Sequence, residues 1–489
     1  MEESSQSSQT PNSAFNLRTF GKDTLIYTAG QGLLLLFGFV QVLIIPKYLS
    51  VEGYGYWQLF TLYASYVGIL HFGFIDGILL RWAGKELNQV GGEIKTAFRF
   101  LLLEQLIVII PLALLFYFLL QPPFQWIGLM ILPYAFIINL ATFFMFTTQA
   151  IRKFKLLTAV NVGKGGVFLL LIILLFTFGY LDYQHVIFAS LAAFTLALFA
   201  LAFWFRKYLW GKRPAISSLW AYGKQNINIG IFVLLGNFVV VLFMTIDRLM
   251  VSSFFPIEQF AIYAFALMIA MVAYTFVGAI SQVFFPNLSA MTTELRTRAY
   301  QLGKPAIILA WAGVLAVYFP VTRLIEFYLP HYTASLPIMQ ILLCTVGFGS
   351  LIQILHVNYY KAYRKQRQYF IWGITSLAFS AILNLLAIKV FGTLESVAVA
   401  TLISFGIWYI INELNLKPVV GESSRQLWKG LLIICCYLAA FWLVSFLAEW
   451  FIARMLIYIG LFSLVTWLLL RHEVMELVAV AKGLGKQRQ

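Results

Sequence analysis

The chain has 489 residues, of which 61% are apolar and 11% charged, with 34 Lys and Arg against 19 Asp and Glu. A soluble domain carries about 25% charged residues, so this composition excludes an ordinary cytosolic enzyme. A membrane-spanning helix takes about 20 mostly apolar residues, which leaves room for about fourteen spans and no separate soluble domain.

Residues 1–16 are rich in Ser and Gln and read as a disordered cytoplasmic tail. No positive start, short apolar core and small-residue cleavage site precede Phe15, so the first apolar segment is expected to be retained as a helix. Apolar runs predict spans near 23–46, 54–80, 97–120, 124–149, 156–180, 184–206, 226–254, 258–284, 304–325, 334–359, 368–389, 394–412, 429–449 and 453–470. Connections after odd-numbered spans are short, as at Gln121-Pro122-Pro123 and Leu181-Asp182-Tyr183. The tail and the connections after even-numbered spans, with Lys304 counted among them, hold 28 of the 34 basic residues. Both termini are then expected to be cytoplasmic, and the net charge of +15 is a topology signal with no call for nucleic acid.

The first and seventh spans open alike, with Phe20-Gly21-Lys22 in one and Tyr222-Gly223-Lys224 in the other. Glycines follow in both, at Gly30, Gly32 and Gly38 and at Gly230 and Gly236. Six spans per half, an even number, predict a parallel repeat about an axis along the membrane normal, with a substrate path between the halves. The expected domains are a six-helix lobe over 17–210, a second over 211–413, two further helices over 414–470 and a basic cytoplasmic tail over 471–489. Glycine loosens a helix or permits close packing, so the first and seventh spans are expected to flex at these positions.

Catalytic chemistry finds little support. Asp23, Asp76, Asp182 and Asp247 are far apart, and His71, His185, His331, His356 and His472 lack metal-ligand spacing. Cys344, Cys435 and Cys436 lie in apolar runs and offer neither a metal site nor a disulfide framework. Gly163-Lys164-Gly165-Gly166 lacks the upstream glycine and following Ser/Thr of a phosphate-binding loop. No enzyme, metal or cofactor is expected.

Ionisable groups inside spans are costly and point to a cavity or a partner. Lys164 either snorkels to the interface or lines an inward cavity. Asp247 and Arg248 are helix neighbours about 100° apart, poorly placed to pair with each other. Arg248 suits an anionic group, Asp247 a cation or a proton, and an interhelical salt bridge serves either. Asp76 precedes Arg81 and reads as its interfacial ion-pair partner, while Glu104 lies a few turns into the third span. Gln31, Gln41, Asn226, Asn228 and Asn237 mark faces turned from lipid.

Fourteen spans in two halves, the stretches Tyr48-Leu49-Ser50-Val51-Glu52-Gly53-Tyr54-Gly55 and Phe72-Gly73-Phe74-Ile75-Asp76-Gly77, and Ile246-Asp247-Arg248-Leu249-Met250 together resemble the bacterial O-antigen and polysaccharide flippases. These belong to the multidrug, oligosaccharidyl-lipid and polysaccharide exporter superfamily. The resemblance runs from Leu17 to the last span. It implies an all-α membrane protein with two six-helix lobes around a cationic cavity, and two extra C-terminal helices. It also implies a bacterial inner-membrane location and transfer of an undecaprenyl-diphosphate-linked oligosaccharide, for O-antigen lipopolysaccharide or another surface polysaccharide, by alternating access. Membrane lipids, a polysaccharide polymerase and glycosyltransferases are the implied partners. Lys164, Arg248, Lys22 and Arg81 are the positions suited to the diphosphate, and Asp247, Glu104 and Asp76 are suited to coupling by H+ or Na+ or to ion pairing. The drug-exporting branch commonly carries an acidic residue in the first span, and none lies between Leu25 and Pro46. A cation-coupled exporter of drugs or metabolites and a membrane scaffold for polysaccharide synthesis remain the alternatives.

Overall fold

The computed structural model describes residues 17–180, 182–210, 216–447 and 449–486, with side chains from residue 29 to 479 except at 279, 282, 283, 286, 287 and 290. The stretch 1–16 and the side chain of Lys22 lie outside the described residues. Among those residues the chain forms helices and no strand. In order, α1 (Leu17–Tyr48), α2 (Val51–Ala64), α3 (Phe74–Trp82), α4 (Leu87–Leu119), α5 (Phe124–Ala150), α6 (Phe154–Thr177), α7 (Tyr183–Trp204) and the short α8 (Arg206–Leu209) make the first half. The second half holds α9 (Ile216–Phe254), α10 (Ile257–Ala290), α11 (Thr293–Leu315), α12 (Tyr318–Tyr328), α13 (Leu336–Ser350), α14 (Val357–Ala362), α15 (Gln366–Val390) and α16 (Leu394–Val420). Then follow α17 (Ser424–Leu447) and α18 (Phe451–Lys486).

Thirteen described helices are long and apolar enough to cross a membrane, and a fourteenth span results when Val51–His71 and Phe74–Trp82, bent by 64°, count as one. Helix is the form such segments take because lipid offers no partner to backbone N–H and C=O groups, which must bond within the segment. Outward-facing Phe118, Phe199 and Phe446 leave wide apolar surface for lipid contact. The chain is a multi-pass membrane protein.

The bend in the second span is built from its sequence. A 3-10 turn over Val67–His71 is followed by Phe72 at φ 45° and Gly73 at φ 83°, and the left-handed Gly73 needs no Cβ. Such a break frees carbonyls in the membrane interior. Asn139 Nδ2 donates to Val67 O at 3.2 Å and Gln105 Nε2 donates to Leu70 O at 3.0 Å, so amides from α5 and α4 replace the lost helix bonds. His71 Nδ1 accepts from the Gly73 N–H at 3.2 Å. α1 and α9 each run as one helix, and the sharp bend lies in the second span rather than in either of them.

The two halves pair their helices alike. α1 packs on α6 as α9 packs on α15, and the α2–α3 span packs on α5 as α10 packs on α13. α4 meets α5 as α11 meets α13, α5 meets α7 as α13 meets α16, and α6 meets α7 as α15 meets α16. This is the parallel repeat. α17 and α18 pack on each other and on α11, with α18 also against α12.

The halves meet where α2 and α1 touch α10 and where α3 and α4 touch α9. We call the side on which α1 begins and α18 ends the basic face, after its concentration of Lys and Arg. Towards that face α3 lies backbone to backbone on α9, and at the opposite face Gly55 of α2 lies against Ile257 at the start of α10.

Candidate functional site

Two cavities are held between these helices. The larger, about 1040 Å³, is lined by α9, α10, the π-helical turn Leu351–His356, α14, α15 and α16 of the second half and by Leu80 of α3. Its polar lining includes Asn237, Gln353, Gln366, Lys361 and Arg367, and its apolar wall includes Phe370 and Trp408. Lys361 and Arg367 stand at the ends of α14 and α15 nearest the basic face, both exposed, with Lys361 Nζ 5.7 Å from the Phe285 ring centre. The smaller, about 390 Å³, lies nearer the opposite face between α1 and α2 of one half and α9 and α10 of the other. Gln41, Tyr54, Gln58, Thr61 and Arg248 line it.

Arg248 ties the two halves together inside the smaller cavity. From α9 its Nη2 donates to Gln58 O and Gln58 Oε1 of α2, both at 3.1 Å, and to Thr61 Oγ1 at 3.4 Å. The residue is 8% exposed and its Nε has no partner. One turn earlier, Thr245 Oγ1 and Tyr66 OH are 2.7 Å apart, which extends the same inter-lobe seam.

Asp247 turns the other way, into the second half. Its Oδ2 accepts from Tyr263 OH at 2.7 Å and from Thr401 Oγ1 at 3.5 Å, and its Oδ1 accepts from the Arg248 backbone N–H. Thr401 Oγ1 in turn lies 3.3 Å from Asn384 Oδ1. The chain of polar groups therefore joins α9, α10, α16 and α15, and no ion pair forms between Asp247 and Arg248.

Other sequence-derived positions lie outside the cavities. Lys164 on α6 rests its Nζ 4.2 Å over the Phe194 ring of α7, inside the first half. Glu104 is buried with its Oε2 held by Gln105 Nε2 at 2.8 Å and its Oε1 unpartnered. Asp76 does not pair with Arg81, since positions five apart on a helix do not face each other. The nearest basic side-chain atom to Asp76 is His71 Nε2, at 3.9 Å. Arg81 pairs with Glu93 at 3.1 Å and donates to Gln225 Oε1 at 3.3 Å, while Tyr222 OH donates to Glu93 at 2.9 Å. Arg81 and Glu93 come from the first half and Tyr222 and Gln225 from the second, so this cluster latches the halves at the basic face.

The glycines divide into two kinds. A Cβ on Gly32, Gly38 or Gly236 would meet nothing within 4 Å. A Cβ on Gly30 would press on Thr158 of α6, and one on Gly230 would strike the backbone of α3. Close packing is the use of these last two.

Lys304, at the first position of the span expected over 304–325, is buried in α11 at 5% exposure. Lys361, Arg367 and Lys304 have no distinguishing sequence context, and read as topology charges until the fold shows what they face.

A sequence family described as "Polysaccharide biosynthesis protein" matches residues 20–292, more than half of the chain. The chain belongs to this family. No curated protein matches the sequence. Among solved structures, "Lipid II flippase MurJ, inward closed conformation" superposes with a TM-score of 0.69 at 14% identity, covering 92% of this chain and 100% of that one. An inward-facing multidrug resistance MATE family transporter of the MOP superfamily gives 0.56 at 12% identity, covering 82% and 96%. A ligand complex of the MATE multidrug transporter DinF-BH gives 0.55 at 19%, covering 86% and 100%. The family is thus one of polysaccharide biosynthesis, and the fold is one shared by a lipid flippase and by drug transporters.

Proposed function

We propose that this polysaccharide-biosynthesis protein is a flippase. It carries the head group of an undecaprenyl-diphosphate-linked oligosaccharide from the cytoplasmic to the outer leaflet of a bacterial inner membrane, with both of its termini cytoplasmic, and performs no covalent chemistry. The observation that carries this reading is the placement of cationic groups in two cavities at different depths, with Lys361 and Arg367 in the one towards the basic face and Arg248 in the one towards the opposite face. A diphosphate is met first by exposed charges that attract it and then by a guanidinium whose planar fork suits phosphate oxygens. The lipid tail stays in the bilayer while the head crosses. With the interior negative, two outward-moving negative charges gain about 4.6 kcal/mol per 100 mV.

A cation-coupled drug or metabolite exporter fits less well. Lys361 and Arg367 would repel a cationic drug from the larger cavity. A scaffold role leaves the cavities without use. The buried carboxylates Asp247 and Glu104 are the positions suited to a coupling H+ or Na+. The test is flipping of a fluorescent undecaprenyl-diphosphate oligosaccharide in proteoliposomes, with the R248A variant and the K361A/R367A double variant alongside the parent protein. Transport by the parent and at least tenfold slower transport by both variants is the expected result. Absence of flipping by the parent, with drug export intact, overturns the reading.

A further inference from the structure

On the side of the second half away from the smaller cavity, four ionisable side chains are buried together. Lys304 Nζ of α11 donates to Glu413 Oε2 of α16 at 3.0 Å and to Glu422 Oε1, in the connection between α16 and α17, at 2.8 Å. Glu413 Oε1 also accepts from Tyr300 OH at 3.0 Å and lies 3.2 Å from His356 Nε2. Tyr409 of α16 stacks on the His356 ring, its hydroxyl unpartnered. α17 contributes Gly430, where a Cβ would lie 2.9 Å from Lys304 Cε.

Charge counting leaves the cluster one proton short. Glu413, ringed by donors, is a carboxylate, which sets a hydrogen on His356 Nε2. Lys304 balances Glu413. Glu422 then adds an excess negative charge in a buried setting, which is costly unless a proton joins it. Among the carboxylate oxygens of the cluster, Glu422 Oε2 is the one without a partner, and it is able to take that proton. Burial first, and then the Glu413 carboxylate, push the Glu422 carboxyl up to about 7.

His356 closes the π-helical turn whose Gln353 lines the larger cavity, and the following Val357 and Tyr360 line it too. π-turns of this kind recur at functional sites. On α16, Tyr409 touches His356 while its neighbour Trp408 lines the same cavity. Both elements thus show one face to the ions and another to the cavity.

We infer that Lys304, His356, Glu413 and Glu422 form a single-proton binding site, loaded through the connection at Glu422, whose occupancy sets the shape of the larger cavity through the π-turn. Loading adds H+ to Glu422 Oε2 and leaves the cluster neutral. Unloading leaves it with one negative charge. Only the sense of any coupling to export rests on the flippase reading, since the site binds its proton with or without cargo.

The experiment is cysteine labelling without cargo. Gln353→Cys, in a chain with Cys435 and Cys436 changed to Ser, is labelled by a maleimide in lipid nanodiscs from pH 5.5 to 8.5, with rates corrected for the thiolate chemistry of a free cysteine. A several-fold change in corrected rate with a midpoint near neutral pH is expected. E422Q should hold one rate at every pH, H356Q should flatten or shift the midpoint, and E422D should restore a pH-dependent rate. Should E422Q fail to fold, H356Q and E422D carry the comparison. A flat profile in the parent, or the parent's profile unaltered in both E422Q and H356Q, overturns the inference. Failure of flipping with this profile intact would count against the cargo and leave the proton site standing.

Discussion

Gly230 of α9 lies so close to Gly73, which caps the start of α3, that a Cβ built on Gly230 would overlap the Gly73 carbonyl oxygen. Gly77 makes the reciprocal approach, its Cβ position overlapping Asn226 O. Three glycines thus let the two halves touch backbone to backbone towards the basic face. A methyl group there has no flexible side chain to displace. G230A is expected to force α3 from α9 and to cost about 1–3 kcal/mol by overpacking. Thermal unfolding in detergent reads the loss, and G236A, whose added methyl meets open space, should change it little.

Arg81, with Glu93, Tyr222 and Gln225, forms the polar counterpart of that contact. These side chains are partly exposed, so the ion pair contributes no more than about 1 kcal/mol to stability. R81A is expected to leave the unfolding temperature nearly unchanged while loosening the halves at the basic face. Faster labelling of an introduced cysteine at Leu80, which lines the larger cavity, is the expected readout.

Arg248 serves through geometry as well as charge. R248K keeps the positive charge but loses the planar guanidinium whose Nη2 reaches both Gln58 acceptors. R248A should lower flipping by at least tenfold, with R248K between it and the parent. K164A, which removes only a contact with Phe194, should have the smaller effect.

Glu413 neutralises Lys304 and accepts from Tyr300, and it is fully buried. Replacing it by Ala leaves Tyr300 and His356 without their acceptor while Lys304 keeps Glu422, at a cost of about 1–3 kcal/mol. Chemical or thermal unfolding of E413A checks this value.

Glu422 gives stability a pH dependence of definite sign. A carboxyl raised from 4.5 to about 7 holds more protons folded than unfolded between those values. Its contribution is fully present below 4.5 and is lost as pH rises through about 7. The unfolding temperature should fall over that window in the parent protein. E422Q should flatten the slope, and an unchanged slope in E422Q would count against Glu422 as its source.

Membrane class, span count and the two-half plan were legible in the sequence because each rests on local composition. An apolar run of spanning length excludes other structures in lipid wherever it occurs, and an even number of spans per half fixes a parallel repeat. The break in the second span was less legible. Its cause is Phe72-Gly73 in left-handed conformation, and its stability comes from Gln105 and Asn139, which lie 32 and 66 residues beyond Gly73.

Which charges share a cavity was decided by tertiary structure alone. Arg248 and Asp247 are adjacent in sequence, yet one faces the other half through Gln58 while its neighbour faces Tyr263 and Thr401. Lys304, His356, Glu413 and Glu422 come from three spans and a connection and meet around one buried acid. Sequence sets whether a segment can enter the bilayer, since that depends on its own side chains. The partner of each costly polar group is chosen by helix packing, because in lipid that partner must come from another part of the chain.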